Sequence, residues 1–206
     1  MRARPTTLDE VARLVVARAG ALDGWVRVAV DGAPPTEPAA LADLVAERLR
    51  VAGRPVLRVS ADDFLRPASV RLEHGREDPD AFYEDRLDTG ALAREVLDPL
   101  EPAGTGLVLP SLWDARRDRA TRADRVPLGP GGAVVLDGSL LLGRWLALDV
   151  VVHLAVRPAT LARRTPAELA WTLPAYGRYA DEVGLQEVAD VVVLVDDPRH
   201  PALVEG

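Results

Sequence analysis

The sequence contains neither cysteine nor lysine. Its 206 residues include no Cys, and all 25 residues counted as Lys or Arg are arginine. The missing thiols exclude disulfides, thiolate catalysis and cysteine-ligated metal sites, and the missing amines exclude side-chain Schiff-base chemistry. Every permanent positive charge on a side chain is therefore a guanidinium.

The chain also lacks an excess of positive charge and any long apolar run. Its net charge is -7 and its pI is near 5.0, which argues against an extended nucleic-acid-binding face. No apolar run approaches the ~18 residues that span a membrane. Charged residues from Asp9 to Arg18 occupy the segment where a secretion signal would be apolar. These absences predict a cytoplasmic protein that binds neither nucleic acid nor membrane.

The residues that are present indicate an α/β fold. Hydrophobic residues make up 48% of the chain, and its length suits one domain over 1–206. Thr7 and Glu10 have the spacing of a capping box, which predicts a helix over 7–20. Short apolar runs that alternate with helical patterns predict strands at 26–30, 55–60, 133–136, 149–156 and 191–195. We expect a three-layer sandwich with a five-stranded parallel sheet, whose core spans 25–198.

The first predicted strand leads into a turn that has the frame of a phosphate loop. Counting the eight-position motif G-x-x-x-x-G-K-[ST] from Gly32 places Glu37 at the second Gly, Pro38 at the Lys and Ala39 at the hydroxyl. The prolines of the turn have no N–H to donate. A Glu37 carboxylate ~5 Å from one phosphate charge would cost about 3 kcal/mol at an effective dielectric of ~20. We predict that the turn over 33–39 does not wrap a phosphate, and ATP and Mg²⁺ as cofactors stay open.

Carboxylates follow three of the predicted strands. Asp31, Asp62 with its neighbour Asp63, and Asp137 each come at or just after a strand end. Ligands of open α/β sheets bind outside the carboxyl ends of the strands. We expect Asp31, Asp62 and Asp137 to share one crevice, with at least one pKa raised by like charges. For Asp63, capping of the next turn is an equally good interpretation.

Three further features have a structural and a functional interpretation. The polar segment over 65–88 carries aromatic residues and is interpreted as an ordered loop that lines a pocket. The segment over 116–125 holds five Arg and is either a solvated surface, the commoner case, or a flap over the crevice. His153 lies within an apolar run and is interpreted as a core residue rather than a ligand.

With these segments in hand, the chain resembles the uridine kinase family of P-loop nucleoside kinases over 25–198. The resemblance rests on the ordered succession VAVDG, SADDF, DPDAF, LPSLWD, VVLDG and LPAYGRYADEV with ADVVV. The sequence departs from the family at Pro38 and Ala39, where the family has Lys and Ser, and at Asp78, where it has His. The arginine-rich lid, over 157–173, is also shortened.

The resemblance implies roles for particular residues. Asp62 would be the general base on an acceptor hydroxyl, and Asp137 would lie near Mg²⁺, through water. Gly32, Arg163 and Arg164 would face the phosphoryl group. The acceptor would be bound by a set of charged and aromatic residues: Asp63, Arg71, Glu77, Asp80, Phe82, Tyr83 and Trp113.

The implied function is phosphoryl transfer to a small molecule, a nucleoside or a similar compound. Two alternatives stay open. The chain could be a pseudokinase that keeps the acceptor pocket as a binding or regulatory module, or an enzyme that uses the carboxylate crevice without ATP. A homo-oligomer is compatible with each of them.

Overall fold

Extended segments occur throughout the chain, and most of them join one large sheet. The computed structural model describes residues 2–205. Its strands are β1 (Arg2–Pro5), β2 (Val26–Gly32), β3 (Val56–Ser60), β4 (Leu107–Val108), β5 (Trp113–Asp114), β6 (Arg119–Ala120), β7 (Val126–Pro127), β8 (Ala133–Gly138), β9 (Val150–Ala155), β10 (Val191–Leu194) and β11 (Ala202–Glu205). Seven of them form a sheet in the order β1-β11-β10-β9-β2-β8-β3, while β4 pairs with β7 and β5 with β6.

The five predicted strands form the parallel part of this sheet. They are β10, β9, β2, β8 and β3, each parallel to its neighbour. The expected total of five strands was wrong, because β11 and β1 extend the sheet in antiparallel orientation. Arg2–Pro5 is exposed throughout, so no apolar pattern marks it as a strand.

Helices cover both faces of the sheet. They are α1 (Leu8–Gly20), α2 (Pro38–Val51), α3 (Ala68–Arg71), α4 (Pro79–Glu84), α5 (Thr89–Leu92), α6 (Pro158–Arg164), α7 (Leu173–Val183) and α8 (Leu185–Val188). Shorter 3₁₀ turns span Pro34–Thr36, Ala61–Phe64, Asp98–Leu100 and Ala167–Thr172, and a π-helical turn over Ala93–Leu97 follows α5. Within residues 2–205, none of these helices combines the length and the apolar character that crossing a membrane requires.

Two buried clusters hold the layers together. On one face, Val15 of α1 and Val45 of α2 pack against Val28 of β2. On the other face, Leu136 of β8 packs in a cluster that includes Phe64 and Tyr179. Strands buried on both faces need helices on both sides, and the three-layer prediction is confirmed.

Local capping also follows the sequence pattern. Thr7 Oγ1 accepts a hydrogen bond from the Glu10 amide at 3.1 Å, and Glu10 Oε2 accepts one from the Thr7 amide at 3.1 Å. The predicted capping box at the start of α1 is confirmed. The segment over 65–88 contains α3 and α4, and Asp78 caps α4 by accepting from the Ala81 amide at 2.7 Å.

The packing of Leu136 in the core predicts how much stability is lost when its side chain is truncated. Leu136 is 0% exposed, whereas Leu22 is 38% exposed. We expect Leu136→Ala to lower the free energy of unfolding by about 2–5 kcal/mol, because a large buried side chain leaves a cavity. Leu22→Ala is the matched control and should lower it by less than ~1 kcal/mol. Urea unfolding measures both, and equal losses would contradict this assignment of the core.

Candidate functional site

The strand-end carboxylates meet at one end of the sheet. In the parallel register, Asp137 of β8 lies beside Val30 of β2 and beside Ser60 of β3. Asp31 and the turn that holds Asp62 therefore follow neighbouring strands at the same end. The predicted convergence along the sheet is confirmed.

Asp31 is buried on the face that carries α7. Its side chain is 0% exposed, its Oδ1 accepts from the Leu141 amide at 3.0 Å, and its Oδ2 lies 2.8 Å from His153 Nδ1. His153 is itself buried, as predicted for a core residue. Both atoms of the Asp31 carboxylate are therefore engaged inside the protein.

Asp137 faces the opposite side, because successive side chains of a strand alternate between faces. Val135, two residues earlier, packs in the cluster of α1 and α2. Asp137 Oδ1 accepts from Arg58 Nη2 at 2.8 Å, and Arg58 Nε donates to Asp43 of α2 at 2.8 Å. The expectation that Asp31 and Asp137 share one crevice was wrong, since the sheet itself separates the two carboxylates.

The turn between β2 and α2 is closed by its own hydrogen bonds. The amides of Thr36, Glu37 and Ala40 donate to carbonyls of Ala33, Pro34 and Glu37 at 2.8, 3.0 and 3.1 Å. Glu37 keeps a left-handed backbone with φ of 57° at the position of the second motif glycine. The loop therefore keeps a left-handed residue at the position of the second motif glycine, while these three amides donate to carbonyls of the loop itself.

Thr36 fills the space beside Gly32. Its hydroxyl donates to the Ala33 carbonyl at 2.7 Å and is buried. A Cβ on Gly32 would lie 2.4 Å from Thr36 Oγ1 and 3.0 Å from Leu154 Cβ. Gly32 is therefore needed for close packing of the turn against β9, whatever the turn binds.

Asp62 lies in the 3₁₀ turn that follows β3. Its side chain is 64% exposed, and its Oδ1 accepts from Arg86 Nη2 at 2.7 Å. The Arg86 guanidinium also lies over the Phe82 ring, 5.1 Å from its centroid. This ion pair orients Asp62 and links it to the aromatic residues of α4.

Phe82 is part of an aromatic wall. Its ring meets Trp171 edge-on with centroids 5.4 Å apart, and Tyr176 with centroids 6.0 Å apart. Burial raises the pKa of Tyr176 overall, although a hydrogen bond with Ser139 and the Arg86 charge oppose the shift. Trp171, Tyr176 and Arg86 were missed from sequence, because distance along the chain gives no signal that they meet Phe82.

Other predicted acceptor residues are engaged elsewhere. Tyr83 is buried in the core against Tyr179, at 6.2 Å between ring centroids, so the expectation that it lines a pocket was wrong. Asp80 pairs with Arg178 at 3.2 Å. Glu77 is exposed in the turn before α4.

The β5–β6 hairpin is fixed to the Asp62 turn through Asp63. The Asp63 carbonyl accepts from the Leu112 amide at 2.9 Å, and Asp63 Oδ1 accepts from Ser111 Oγ at 3.2 Å. Burial raises the pKa of Asp63, the Ser111 hydrogen bond lowers it, and the charges of Asp62 and others raise it further. The raised pKa therefore belongs to Asp63, which is not one of the three carboxylates for which it was expected, and its first cause is burial rather than like charge.

Asp118 holds the tip of the same hairpin. Its Oδ1 accepts from Trp113 Nε1 at 3.1 Å and from the Ala68 amide at 2.7 Å, and lies 3.9 Å from Arg71 Nη2. Trp113 and Arg71 are therefore brought together at the hairpin by Asp118. Their predicted contact with an acceptor stays a prediction.

The two lid arginines differ in their surroundings. Arg164 donates from Nη1 to the Val195 carbonyl at 2.9 Å and also to the Asp196 carbonyl, so its guanidinium holds the chain after β10. Arg163 is exposed in the last turn of α6. Of the two, only Arg163 has a guanidinium that is not engaged in this way.

Solved structures of kinases share this architecture. A possible uridine kinase from Bacillus stearothermophilus matches with a TM-score of 0.71 and 19% identity, over 90% of this chain and 98% of that chain. A candidate fructose transport system kinase from Silicibacter sp. matches with a TM-score of 0.61 and 23% identity, over 86% and 95% of the two chains. No protein-family model and no curated protein matches the sequence. The chain has the fold of P-loop nucleoside kinase-like structures.

The raised pKa of Asp63 predicts a pH-dependent stability. A carboxyl whose folded-state pKa is raised stabilises the fold fully below its unfolded value, near ~3.9, and loses that contribution as the pH rises through the folded value. We expect Asp63→Asn to raise the free energy of unfolding at pH 7, with the gain shrinking below about pH 4.

The matched control is Asp124→Asn, which changes an exposed carboxyl. It should alter the free energy of unfolding by less than ~0.5 kcal/mol, as is usual for the surface. Urea unfolding from pH 3.5 to pH 8 measures both variants. A loss of stability in Asp63→Asn at pH 7 would show that its ionised form is favoured by folding.

Proposed function

We propose that this protein is a small-molecule phosphotransferase of the uridine kinase type, which acts on a hydroxyl group of a nucleoside or a similar compound. The fold of kinase-like structures supports the reaction class. The observation that carries the proposal is the exposed Asp62 carboxylate at the end of β3, held by Arg86 beside an aromatic wall. Fold alone does not fix function, so the proposal depends on this site.

Asp62 has the freedom that a general base needs. Its Oδ1 is held by Arg86, while its Oδ2 accepts no hydrogen bond from residues 2–205. An acceptor hydroxyl within hydrogen-bond reach of Oδ2 can pass its proton to the carboxylate as its oxygen becomes a nucleophile. Arg86 keeps the carboxylate in place during this step.

The aromatic wall supplies a surface for a base or a sugar. The Phe82 ring contacts the Trp171 and Tyr176 rings edge-on, which limits its rotation. Stacking of a base on an aromatic ring contributes ~1–3 kcal/mol in single-strand complexes. A nucleoside-like acceptor therefore suits the crevice better than a purely polar compound.

The turn over 33–39, where a phosphoryl donor would bind in the family that the chain resembles, is less suited to its ligand than the acceptor crevice. We infer that a magnesium triphosphate does not sit in the turn over 33–39 in the usual pose, because the residues present do not suit it. Pro34, Pro35 and Pro38 have no N–H, and the amides of Thr36 and Glu37 donate within the turn itself. Arg58 already occupies Asp137 Oδ1.

This turn favours a second candidate, a pseudokinase that keeps the acceptor crevice as a binding or regulatory module. In that case Asp62 and Arg86 would recognise a hydroxyl without activating it. The same measurements test the alternative of an enzyme that uses the carboxylate crevice without ATP, because such an enzyme would show turnover when no triphosphate is present. The cytoplasmic location and a homo-oligomer stay predictions.

Replacement of Asp62 separates the two candidates. Calorimetric titration of a nucleoside panel, with and without ATP and Mg²⁺, first identifies an acceptor. Asp62→Asn should then lower turnover by about 10²–10⁴-fold, the usual contribution of a general base, and should change the acceptor Kd by less than about threefold. Full turnover in this variant would end the candidacy of Asp62.

The control is Asp43→Asn, which removes another exposed carboxylate that accepts from an arginine, at 2.8 Å from Arg58. It should leave turnover within about twofold of the native value, a change of under ~0.5 kcal/mol. Acceptor binding without turnover for any donor in the native protein would favour the pseudokinase.

Replacement of Trp171 tests the aromatic wall. Trp171→Ala should weaken acceptor binding about tenfold or more, because a stacking surface is lost. Trp145→Ala is the matched control, since Trp145 is 100% exposed outside the crevice. Calorimetry measures both Kd values, and an unchanged value for Trp171→Ala would remove this residue from the site.

A further inference from the structure

The β5–β6 hairpin carries a cavity that the proposed reaction does not use. Its volume is about 490 Å³, and its lining residues are Asp114, Arg117, Arg119, Ala120, Thr121 and Arg122. Three of these residues are arginines and one is a carboxylate. The cavity therefore presents guanidinium groups to whatever enters it.

The single carboxylate of the cavity is already neutralised. Asp114 Oδ1 accepts from the amides of Arg116 and Arg117 at 3.1 Å each, and its Oδ2 accepts from Arg117 Nη1 at 3.3 Å. The hydrogen bond from the Arg117 amide is the largest cause of the lowered pKa of Asp114, burial opposes it, and the hydrogen bond from the Arg116 amide lowers the pKa further. Asp114 is thus a partner of Arg117 and leaves the other cavity arginines uncompensated.

Arg119 and Arg122 form no ion pair within residues 2–205. Arg178, by contrast, contacts three carboxylates, and the chain as a whole is acidic, with 32 acidic and 25 basic residues. Two free guanidinium groups on one cavity create a local positive field in an acidic protein. A guanidinium offers forked donors that match the oxygens of phosphate and carboxylate groups.

The hairpin is held in a fixed position beside the Asp62 turn. Thr121 is tied to the other arm, since its Oγ1 donates to the Ser111 carbonyl at 2.7 Å and its amide to the Leu112 carbonyl at 3.0 Å. Leu112 and Ser111 in turn bind Asp63, the neighbour of the proposed base. The cavity arginines are therefore attached to the same turn that positions Asp62.

We propose that this cavity binds an anionic group of the acceptor, so that the substrate is a hydroxyl compound that already carries a phosphate or a carboxylate. The inference rests on the proposed function for the identity of the acceptor. Arg119 and Arg122 supply the charge, and Thr121 and the hairpin backbone fix the arms that hold them. The acceptor hydroxyl would then reach Asp62 while its anionic end is held by the hairpin.

Binding of matched charged and uncharged compounds tests this inference. Calorimetry at low ionic strength would compare uridine with uridine monophosphate, ribose with ribose 5-phosphate, and inorganic phosphate alone. We expect the charged member of a pair to bind about tenfold more tightly or better, equivalent to ~1.4 kcal/mol, with the advantage falling as salt rises. Equal affinities within each pair would overturn the inference.

Variants assign the effect to the cavity. Arg119→Gln combined with Arg122→Gln should abolish the preference for the charged compound, and Arg119→Lys combined with Arg122→Lys should restore part of it, because charge is returned without the fork. Arg116→Gln is the matched control, since Arg116 lies on the same hairpin but does not line the cavity. All the substituted residues are exposed, and circular dichroism checks that each variant is folded. A preference that survives the double Gln variant would overturn the inference.

The outcomes separate this inference from the proposed function. A charge preference lost in the double Gln variant, in a protein without turnover, would support the anion site and count against phosphoryl transfer. Turnover of an uncharged nucleoside, with no preference for charged compounds, would support phosphoryl transfer and count against the anion site. Inorganic phosphate that binds as tightly as ribose 5-phosphate would indicate a site for the free ion, and would overturn the assignment to the acceptor.

Discussion

The burial of β2 on both faces is the constraint on which the rest of this structure depends. This strand lies between β9 and β8, and all but one of its residues are buried. A strand enclosed in this way needs helices above and below, and α1 and α2 supply one layer while the segments around α4, α5 and α7 supply the other. The one carboxylate of β2, Asp31, must then be hydrogen-bonded inside the protein, and the Leu141 amide and His153 are its partners.

The same constraint divides the strand ends between two chemical environments. Asp137 lies on the α2 side with Arg58, whereas the Asp62 turn bends outward and is open to solvent. In the turn after β2, the amides of Thr36 and Glu37 donate to carbonyls of the turn itself. Of these strand ends, the Asp62 turn is therefore the one that presents an exposed carboxylate.

Much of the fold was predictable because its signals are local. The capping box at Thr7 and the apolar strands depend on neighbouring residues, and these were assigned correctly. Strand β1 was missed because an edge strand needs no apolar pattern. Strand β11 lies between β1 and β10, but it was missed because its four residues are only half-buried or exposed. The split between Asp31 and Asp137 was missed because register and facing depend on which strands pair, and single strands do not encode that. Trp171 and Arg86 were missed for the same reason, since only tertiary packing brings them to Phe82 and Asp62.

The positions of the tryptophan residues make their intrinsic fluorescence a reporter of ligand binding. Of its four Trp residues, Trp171 contacts Phe82 at the crevice, and Trp113 is bonded to Asp118 on the hairpin. Trp25 donates its indole N–H to the Leu128 and Gly129 carbonyls, at the opposite end of the sheet, and Trp145 is fully exposed. A soluble quencher would therefore reach Trp145 most readily, and the emission that remains would be weighted towards the crevice, the hairpin and Trp25. Ligand binding at either proposed site would change the wavelength and lifetime of the remaining tryptophan fluorescence, so no attached dye is needed.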